Sequence, residues 1–367
     1  MPRLRSLLGL ALVATLAACN ASKDSDTAGE NLPDWMQETQ KTAKADKHEK
    51  EPPRASLELH LKVGERFGLR KAVDTTLQQS SPDGTAQVVI ARIEMLLGLT
   101  VEDVSERGTK LAVRYERMKF NQGSEGQRID YDSTRPPEAS QIPTIVRPYH
   151  NMVRDGFSFW IGKENQITEV VGFKEFLERC MAGVSEQDRI QQMLNMEAAS
   201  DENGISDFVD NTIGLLPYGR SIAPGDTWDR TRHVGRPVPM KLVQQYTLKN
   251  LSDQMAVVDI RGTITPSTTV NDVKQDGSGV RVTVTGGSLQ GDCAIYRDSG
   301  LPQRSYVERA VDMVVMTTGK HEFKQKKIVR TTVEAFPMQG AGQAGAMVIG
   351  QGGDPQKGNA PLLLPAR

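Results

Sequence analysis

Alternation of apolar with polar residues over long segments is the feature that most restricts how this chain can fold. A period of two is that of a β-strand with one buried face and one solvated face. Short turns such as Glu106–Thr109 separate neighbouring segments, as in β-hairpins. We therefore predict a mostly antiparallel β protein of the α+β class. The segments that carry the pattern are Val88–Met95, Leu111–Phe120, Lys241–Leu248, Tyr306–Thr317 and His321–Phe336.

One segment between the alternating regions has the period of a helix instead. Ser185, with Asp188 three residues later, resembles a capping box and predicts a second helix after the first. A third helix is predicted from about Ser206 to Gly214. The helical segment is therefore expected over 173–216. The apolar residues that share one face of its first helix are Phe173, Phe176, Leu177, Cys180, Met181 and Val184.

A short opening motif occurs twice and indicates an internal repeat. Val63–Phe67 and Pro224–Trp228 each carry a Gly, an acidic residue and an aromatic residue at the same spacing. Two further strand and turn patterns follow each opening motif in the same order, as expected for a duplication. We predict two related curved antiparallel sheets, a first β unit over 56–172 and a second over 217–336, with the short helical segment between them.

The first residues have the features of a secretory signal. Two Arg precede the apolar run Leu7–Leu16, which is about half the roughly 20 residues that a membrane span needs. The sequence Leu16-Ala17-Ala18-Cys19 resembles a bacterial lipobox, which implies removal of a signal peptide over 1–18 and lipidation of Cys19. An ordinary signal peptide cleaved at the same place, with an incidental Cys, is the alternative.

The flanking regions and the anchor together predict the location of the protein. Residues 19–55 are mostly polar and charged and predict a disordered tether, and residues 337–367 predict a disordered Gly-rich tail. A lipid on Cys19 would make a bacterial membrane the partner of the N-terminus. We expect an extracytoplasmic protein, at the outer membrane because Asn20 rather than Asp follows the Cys.

Charge and motifs argue against several classes of function. A net charge of −1 and a pI near 6.6 give no basic surface for nucleic acid. The five His residues lack the spacing of a metal site. Gly340–Gly345 has the spacing of a dinucleotide-binding loop but no helix pattern after it, and Gly286–Gln290 lacks the second Gly of a nucleophile elbow. We predict no catalytic, cofactor-binding or metal-binding residues, and no enzymatic activity.

Apart from Cys19 the chain has two cysteines, Cys180 and Cys293. They form one possible disulfide in an oxidising compartment. Cys180 falls on the apolar face of a predicted helix and Cys293 on the inward side of a predicted strand. Two separately buried thiols therefore remain the alternative.

Four short motifs make the chain resemble a family of bacterial envelope lipoproteins of unknown function that is abundant in planctomycetes. The motifs are Leu61–Phe67, Tyr131-Asp132-Ser133, Leu215-Leu216-Pro217 and Pro224–Trp228. The resemblance implies a mostly antiparallel β protein outside a membrane. It implies no site residues, because the family has no assigned catalytic residues.

Two functions remain open from the sequence. A binding module would hold a hydrophobic ligand or an envelope component against a curved sheet, as periplasmic lipid carriers do with a helix as a plug. A structural protein would join other envelope proteins through its sheet edges. The apolar stretch Ile90–Leu99 and the cluster Phe157, Phe159 and Trp160 favour the binding module, although each of these residues alone is typical of an ordinary core.

Overall fold

The computed structural model describes residues 53–80, 86–124, 127–186, 188, 189, 192, 205–234, 238–267, 281–316 and 322–337. The predicted signal peptide, Cys19, most of the tether and all but the first residue of the Gly-rich tail lie outside the described residues. Within the described ranges, no helix has the length and apolar composition needed to cross a bilayer.

Strands make up most of the described chain, as the alternation predicts. Three short α-helices, α1 (Arg147–Met152), α2 (Phe173–Cys180) and α3 (Ile205–Asp210), and two 3-10 turns, Ala139–Gln141 and Ile213–Leu215, interrupt them. The strands are β1 (Ala55–Ser56), β2 (Arg66–Ser80), β3 (Ala86–Ser105), β4 (Gly108–Ser124), β5 (Gln127–Asp132), β6 (Gly156–Ile161), β7 (Ile167–Val171), β8 (Ser221–Ile222), β9 (Thr227–Val234), β10 (Met240–Leu251), β11 (Met255–Pro266), β12 (Arg281–Tyr296), β13 (Pro302–Met316) and β14 (Glu322–Pro337).

The strands of both predicted units join in one 12-stranded sheet rather than two. Its order is β7-β6-β4-β3-β2-β14-β13-β12-β11-β10-β9, with β5 beside β4, and every pair is antiparallel. The mostly antiparallel β class is confirmed, and the short helical segment with it. The expectation of two separate sheets is not, because β14 pairs with β2 from Phe67–Pro337 to Ser80–Lys324. This pairing satisfies backbone groups that two separate sheets would leave exposed at an edge.

The two opening motifs adopt the same backbone conformation. Gly64 and Gly225 both have positive φ, 88° and 95°, which a residue with a side chain rarely adopts. The Gly64 amide donates to the Val101 carbonyl at 2.9 Å, and the Gly225 amide donates to the Leu248 carbonyl at 2.7 Å. In each case the acceptor lies on the strand that pairs with the one the motif opens, which is β3 for Val101 and β10 for Leu248.

The acidic residue of each opening motif also plays the same part. The Glu65 carboxylate accepts from the Lys62 amide at 2.9 Å, and the Asp226 carboxylate accepts from the Ala223 amide at 2.9 Å. The shared Gly and acid positions are thus explained by one turn geometry. The two turns are equivalent in their hydrogen bonds, and the duplication of the whole unit stays a prediction.

Helices α1 and α2 pack aromatic side chains against the first part of the sheet. Phe176 of α2 stacks on Tyr115 of β4, with ring centroids 5.5 Å apart, and lies 5.2 Å from Phe157 of β6. Tyr149 of α1 stacks on Phe120 at 5.4 Å. These contacts belong to one continuous hydrophobic core that includes buried residues from both parts of the sheet.

Helix α2 is shorter than its apolar pattern predicts. It ends at Cys180, and Gly183 follows in the left-handed region with φ of 72°. The predicted cap of the next helix is present, because the Asp188 amide donates to the Ser185 hydroxyl at 3.1 Å. Most of that second helix lies outside the described residues.

Candidate functional site

The buried face of the sheet, the side on which Leu69, Val258 and Val333 are buried, carries basic but not acidic charge. Among the residues the structure describes, the buried charged side chains are Lys71 and Arg309, and no Asp or Glu is buried. Both basic residues have interaction partners. The charge of this face therefore favours anions over cations.

Two polar side chains on this face have no hydrogen-bond partner among the described residues. Gln244 and Tyr246 lie two residues apart on β10, and each is 1% exposed. The unpartnered atoms are Nε2 and Oε1 of Gln244 and Oη of Tyr246. Leaving a buried polar group unpaired costs about 1–3 kcal/mol. Because folded proteins satisfy most such groups, these atoms need an explanation.

The edge strand β9 lies beside the two side chains and supplies their surroundings. Trp228 of β9 lies opposite Tyr246, with ring centroids 5.7 Å apart, and its Nε1 donates to the Leu215 carbonyl at 2.8 Å. Arg230 is paired with Gln244 across the two strands and donates to the Gly214 carbonyl. The 3-10 turn after α3 thus orients both β9 side chains towards the site.

The electrostatics of this region keep the Tyr246 hydroxyl protonated. Burial raises the pKa of Tyr246 well above its usual value, and the charges of Arg230 and Arg232 only partly oppose this rise. Arg232 itself forms an ion pair with Asp210 of α3. Tyr246 is therefore a hydrogen-bond donor over the whole physiological pH range.

On the other side of β10, Gln244 is paired with a glycine. Gly262 of β11 occupies that position, and a Cβ placed there would lie 3.4 Å from the Cα and Cγ atoms of Gln244. It would also lie 2.8 Å from the Val243 carbonyl oxygen, so glycine is the residue that fits. The residue of β11 directly opposite Gln244 therefore places no side chain over its amide.

Towards one end of the sheet, parts of the buried face become half exposed, and both apolar and polar side chains lie there. Several apolar residues that face the same way as the core are half-buried here, beside the half-buried Gln79, Gln325 and Lys327, while Met313 and Val315 stay buried. Along β14, the change from buried to half-buried side chains takes place over about six residues, which span roughly 20 Å at 3.3 Å per residue. We call this region the apolar end of the buried face; it is formed by Leu77, Val89, Ala91, Val282 and Phe323.

The aromatic cluster predicted from the sequence is divided between the two faces of the sheet. Phe157 and Phe159 point into the core and contact each other at 6.5 Å. Trp160 faces the other way, with the Arg107 guanidinium 4.6 Å from its ring. The stretch Ile90–Leu99 is divided in the same manner, since Leu99 is fully buried and Ile90 is 57% exposed. Neither feature forms a binding surface by itself.

The two cysteines are free thiols and both are buried. Burial raises the pKa of each thiol to about 12. Cys180 lies at the end of α2 and Cys293 on β12. Of the two alternatives open from the sequence, the structure has the separately buried thiols, and the disulfide is not formed in it.

The Tyr131-Asp132-Ser133 motif stabilises the turn after β5. The Tyr131 hydroxyl lies 2.7 Å from Nδ1 of His150, and the Ser133 hydroxyl accepts from the Met118 amide at 2.9 Å. Partial burial alone would raise the pKa of Asp132. Hydrogen bonds from Arg117 and Thr134 outweigh this effect and lower the pKa to about 2. The side chains of this motif are thus occupied by structural contacts.

A cleft of about 540 Å³ lies against strands β2 to β5, largely on the solvent face. Its acidic residues contact neighbouring basic or amide side chains, as in the double hydrogen bond from Arg92 to Asp74 at 2.8 Å. Within the described ranges, no group of three or more His, Cys, Asp or Glu is arranged to hold a metal ion. The cleft offers no unpartnered group comparable to Gln244.

Comparison with solved structures gives distant matches. One is lipovitellin, in a structure of its lipid–protein interactions, with 9% identity and a TM-score of 0.42 over 78% of this chain and 27% of that chain. The chain thus spans about a quarter of the length of that relative. Another is an outer membrane channel from Pseudomonas putida F1, with 11% identity and a TM-score of 0.21 over 76% of this chain and 97% of that chain. Both TM-scores are too low to establish a shared fold.

Comparison with protein families gives a match over slightly more than half of the chain. No curated protein matches the chain significantly. The model of a family of unknown function, DUF6263, matches residues 106–302. This range includes three of the four motifs quoted above, and Leu61–Phe67 lies before it. The expected family of unknown function is confirmed, while its link to planctomycetes and to lipoproteins stays a prediction. The chain belongs to the family of unknown function DUF6263.

Proposed function

We propose that the protein is a non-enzymatic binding module for a long-chain amphipathic ligand. The hydrocarbon chain lies along the apolar end of the buried face, and the polar group of the ligand reaches Gln244 and Tyr246. The observation that carries the proposal is the side-chain amide of Gln244, which is 1% exposed and has no hydrogen-bond partner among the described residues.

The free energy gained by burying the hydrocarbon chain is large enough to offset the cost of association. Each methylene that leaves water contributes about 0.8 kcal/mol, so roughly 14 methylenes contribute on the order of 10 kcal/mol. That amount is comparable to the estimated loss of translational and rotational freedom on association. Hydrogen bonds to Gln244 and Tyr246 then add affinity and orientation, because these groups bear the cost of burial in the free protein.

We also propose that the module is held at the outside of a bacterial membrane by a lipid on Cys19. The lipobox-like sequence before Cys19 supports this proposal. Two acyl chains anchor a protein stably, whereas a single chain binds reversibly. A tether of about 35 residues at 5–6 Å times the square root of its length would allow the domain to lie roughly 30 Å from the bilayer.

Fluorescence quenching by a brominated fatty acid tests the binding function. The chain has three Trp, so the experiment uses the full chain with Cys19→Ser and Trp35→Phe, which leaves Trp160 and Trp228. Trp228 lies beside Tyr246 on the buried face, whereas Trp160 lies against Arg107 on the other face. We expect 9,10-dibromostearic acid to quench the fluorescence saturably. The Trp228→Phe variant should lose this quenching, and the Trp160→Phe variant should keep it. Equal quenching in both variants, or none in the parent, would contradict the proposal.

A structural role in the envelope is the second candidate, favoured by one edge of the sheet. Strand β7 occupies this edge, and its Val170 and Val171 are each 40% exposed. Exposed apolar edge strands can pair with a strand of another protein. Cross-linking from a photoreactive group at position 170 would capture an envelope protein if this role is correct. The same group at Val243 on the solvent face of β10, which is 37% exposed, is the control.

A further inference from the structure

We infer that the ligand is a long-chain carboxylic acid, bound as its carboxylate by Gln244 and Tyr246. This inference rests on the proposed binding function and specifies the polar end of the ligand. It follows from the hydrogen-bond donors and acceptors of the two side chains, and from the signs and the net charge of the ionised groups around them.

The two side chains offer three hydrogen-bond donors, and Oε1 of Gln244 is an unpartnered acceptor that a ligand carboxylate does not satisfy. The Gln244 amide nitrogen carries two N–H groups, and the Tyr246 hydroxyl carries one O–H. Burial keeps that hydroxyl protonated because it raises the pKa of Tyr246. An ionised carboxylate is acceptor-only, with two oxygens that can each receive a donor. An alcohol can also accept, but it brings a single oxygen for the donors of two side chains.

The charges around the site favour a single negative charge on the ligand. Arg230 and Arg232 lie on the adjacent strand β9, and both act on Tyr246 electrostatically. Asp210 is the acidic group that acts on it from α3, where it pairs with Arg232. These three groups carry a net charge of +1, which one carboxylate neutralises. A phosphate monoester, with about two negative charges, would exceed this balance.

A buried anion needs such surroundings. An ionised carboxylate in an apolar environment is unstable unless it is paired and hydrogen-bonded. No Asp or Glu is buried in the part of the chain that the structure describes, and Asp210, the acidic group that acts on Tyr246, is paired with Arg232. Cys293, which also acts on Tyr246 electrostatically, stays a neutral thiol because burial raises its pKa to about 12.

The test compares palmitic acid, 1-hexadecanol and methyl palmitate, which share one chain and differ in the polar end. Their affinities at pH 8 are measured by displacement of 9,10-dibromostearic acid from the full chain with Cys19→Ser. We expect palmitic acid to bind at least about tenfold more tightly than either neutral compound, since a hydrogen bond to a charged group is worth roughly that factor.

Substitutions at the site test whether Gln244 and Tyr246 cause the preference for the acid over the neutral compounds. Gln244→Leu and Tyr246→Phe should each reduce the affinity for palmitic acid by about tenfold while the affinity for 1-hexadecanol changes less. Gln245→Leu is the matched control, because Gln245 is the neighbouring glutamine on the exposed side of β10. Equal affinity of the acid and the alcohol, or a preference that survives both variants, would overturn the inference while leaving the binding function intact. A failure of all three compounds and of the brominated acid to bind would overturn both.

Discussion

Replacing Gln244 by Leu should stabilise the ligand-free protein. The substitution removes two buried polar atoms that have no hydrogen-bond partner among the described residues and puts an apolar side chain of similar size in their place. Each unpaired buried group costs about 1–3 kcal/mol, so we expect the free energy of unfolding to rise by about 2 kcal/mol. For a domain of this size, about 2 kcal/mol corresponds to a rise in Tm of roughly 3 °C.

Thermal and urea unfolding of the purified variants measure this change. Gln245→Leu is the control, because Gln245 is exposed on the other side of the same strand and its substitution should stay within about 0.5 kcal/mol of the parent. A large stabilisation in Gln244→Leu combined with weaker palmitate binding would show that the amide is retained for binding. Destabilisation of Gln244→Leu by more than about 1 kcal/mol would show that the amide is hydrogen-bonded in the free protein, and would refute the reasoning.

Three further predictions concern other parts of the chain. Asp132→Asn should destabilise the protein by about 1 kcal/mol near neutral pH. Because the pKa of the Asp132 carboxyl is lowered from 3.8 to about 2, this difference in stability from the parent should disappear as the pH falls through that interval. Chemical denaturation at several pH values measures the difference. Cys180 and Cys293 should resist iodoacetamide at pH 8 in the folded protein and react after unfolding, as counted by mass spectrometry, and rapid native labelling would contradict their burial. Cys19 should incorporate radiolabelled palmitate when the chain is expressed in bacterial cells, and Cys19→Ala should not; an unlabelled wild-type protein would contradict the anchor.

The shared geometry of the two opening motifs could be predicted because it is local. A Gly before an acidic residue and an aromatic residue predicts a turn, and the turns at Gly64 and Gly225 are alike in φ and in their hydrogen bonds. The helix at Phe173 follows equally from local spacing. Pairing between distant strands has no such local signature. The contact of β2 with β14 joins residues about 250 positions apart, and for that reason two sheets were expected where one exists.

The candidate site has a signal in the sequence that is independent of any catalytic motif. In β10, the position of Gln244 is in phase with the buried Leu242, Tyr246 and Leu248. Lys71 and Arg309 are likewise in phase with buried apolar neighbours on their strands. A polar residue at an inward position of an alternating strand is therefore a sequence-level indicator of a buried polar site. Its hydrogen bonds cannot be predicted in this way, because they depend on which other strands and helices lie near it.

The most direct test of the account is an experimental structure of the protein crystallised with palmitic acid. We predict the hydrocarbon chain along the apolar end of the buried face, with a carboxylate oxygen within about 3.2 Å of Nε2 of Gln244 or Oη of Tyr246. The account would be contradicted if Gln244 and Tyr246 were hydrogen-bonded to protein groups and the fatty acid were bound elsewhere on the molecule or not at all.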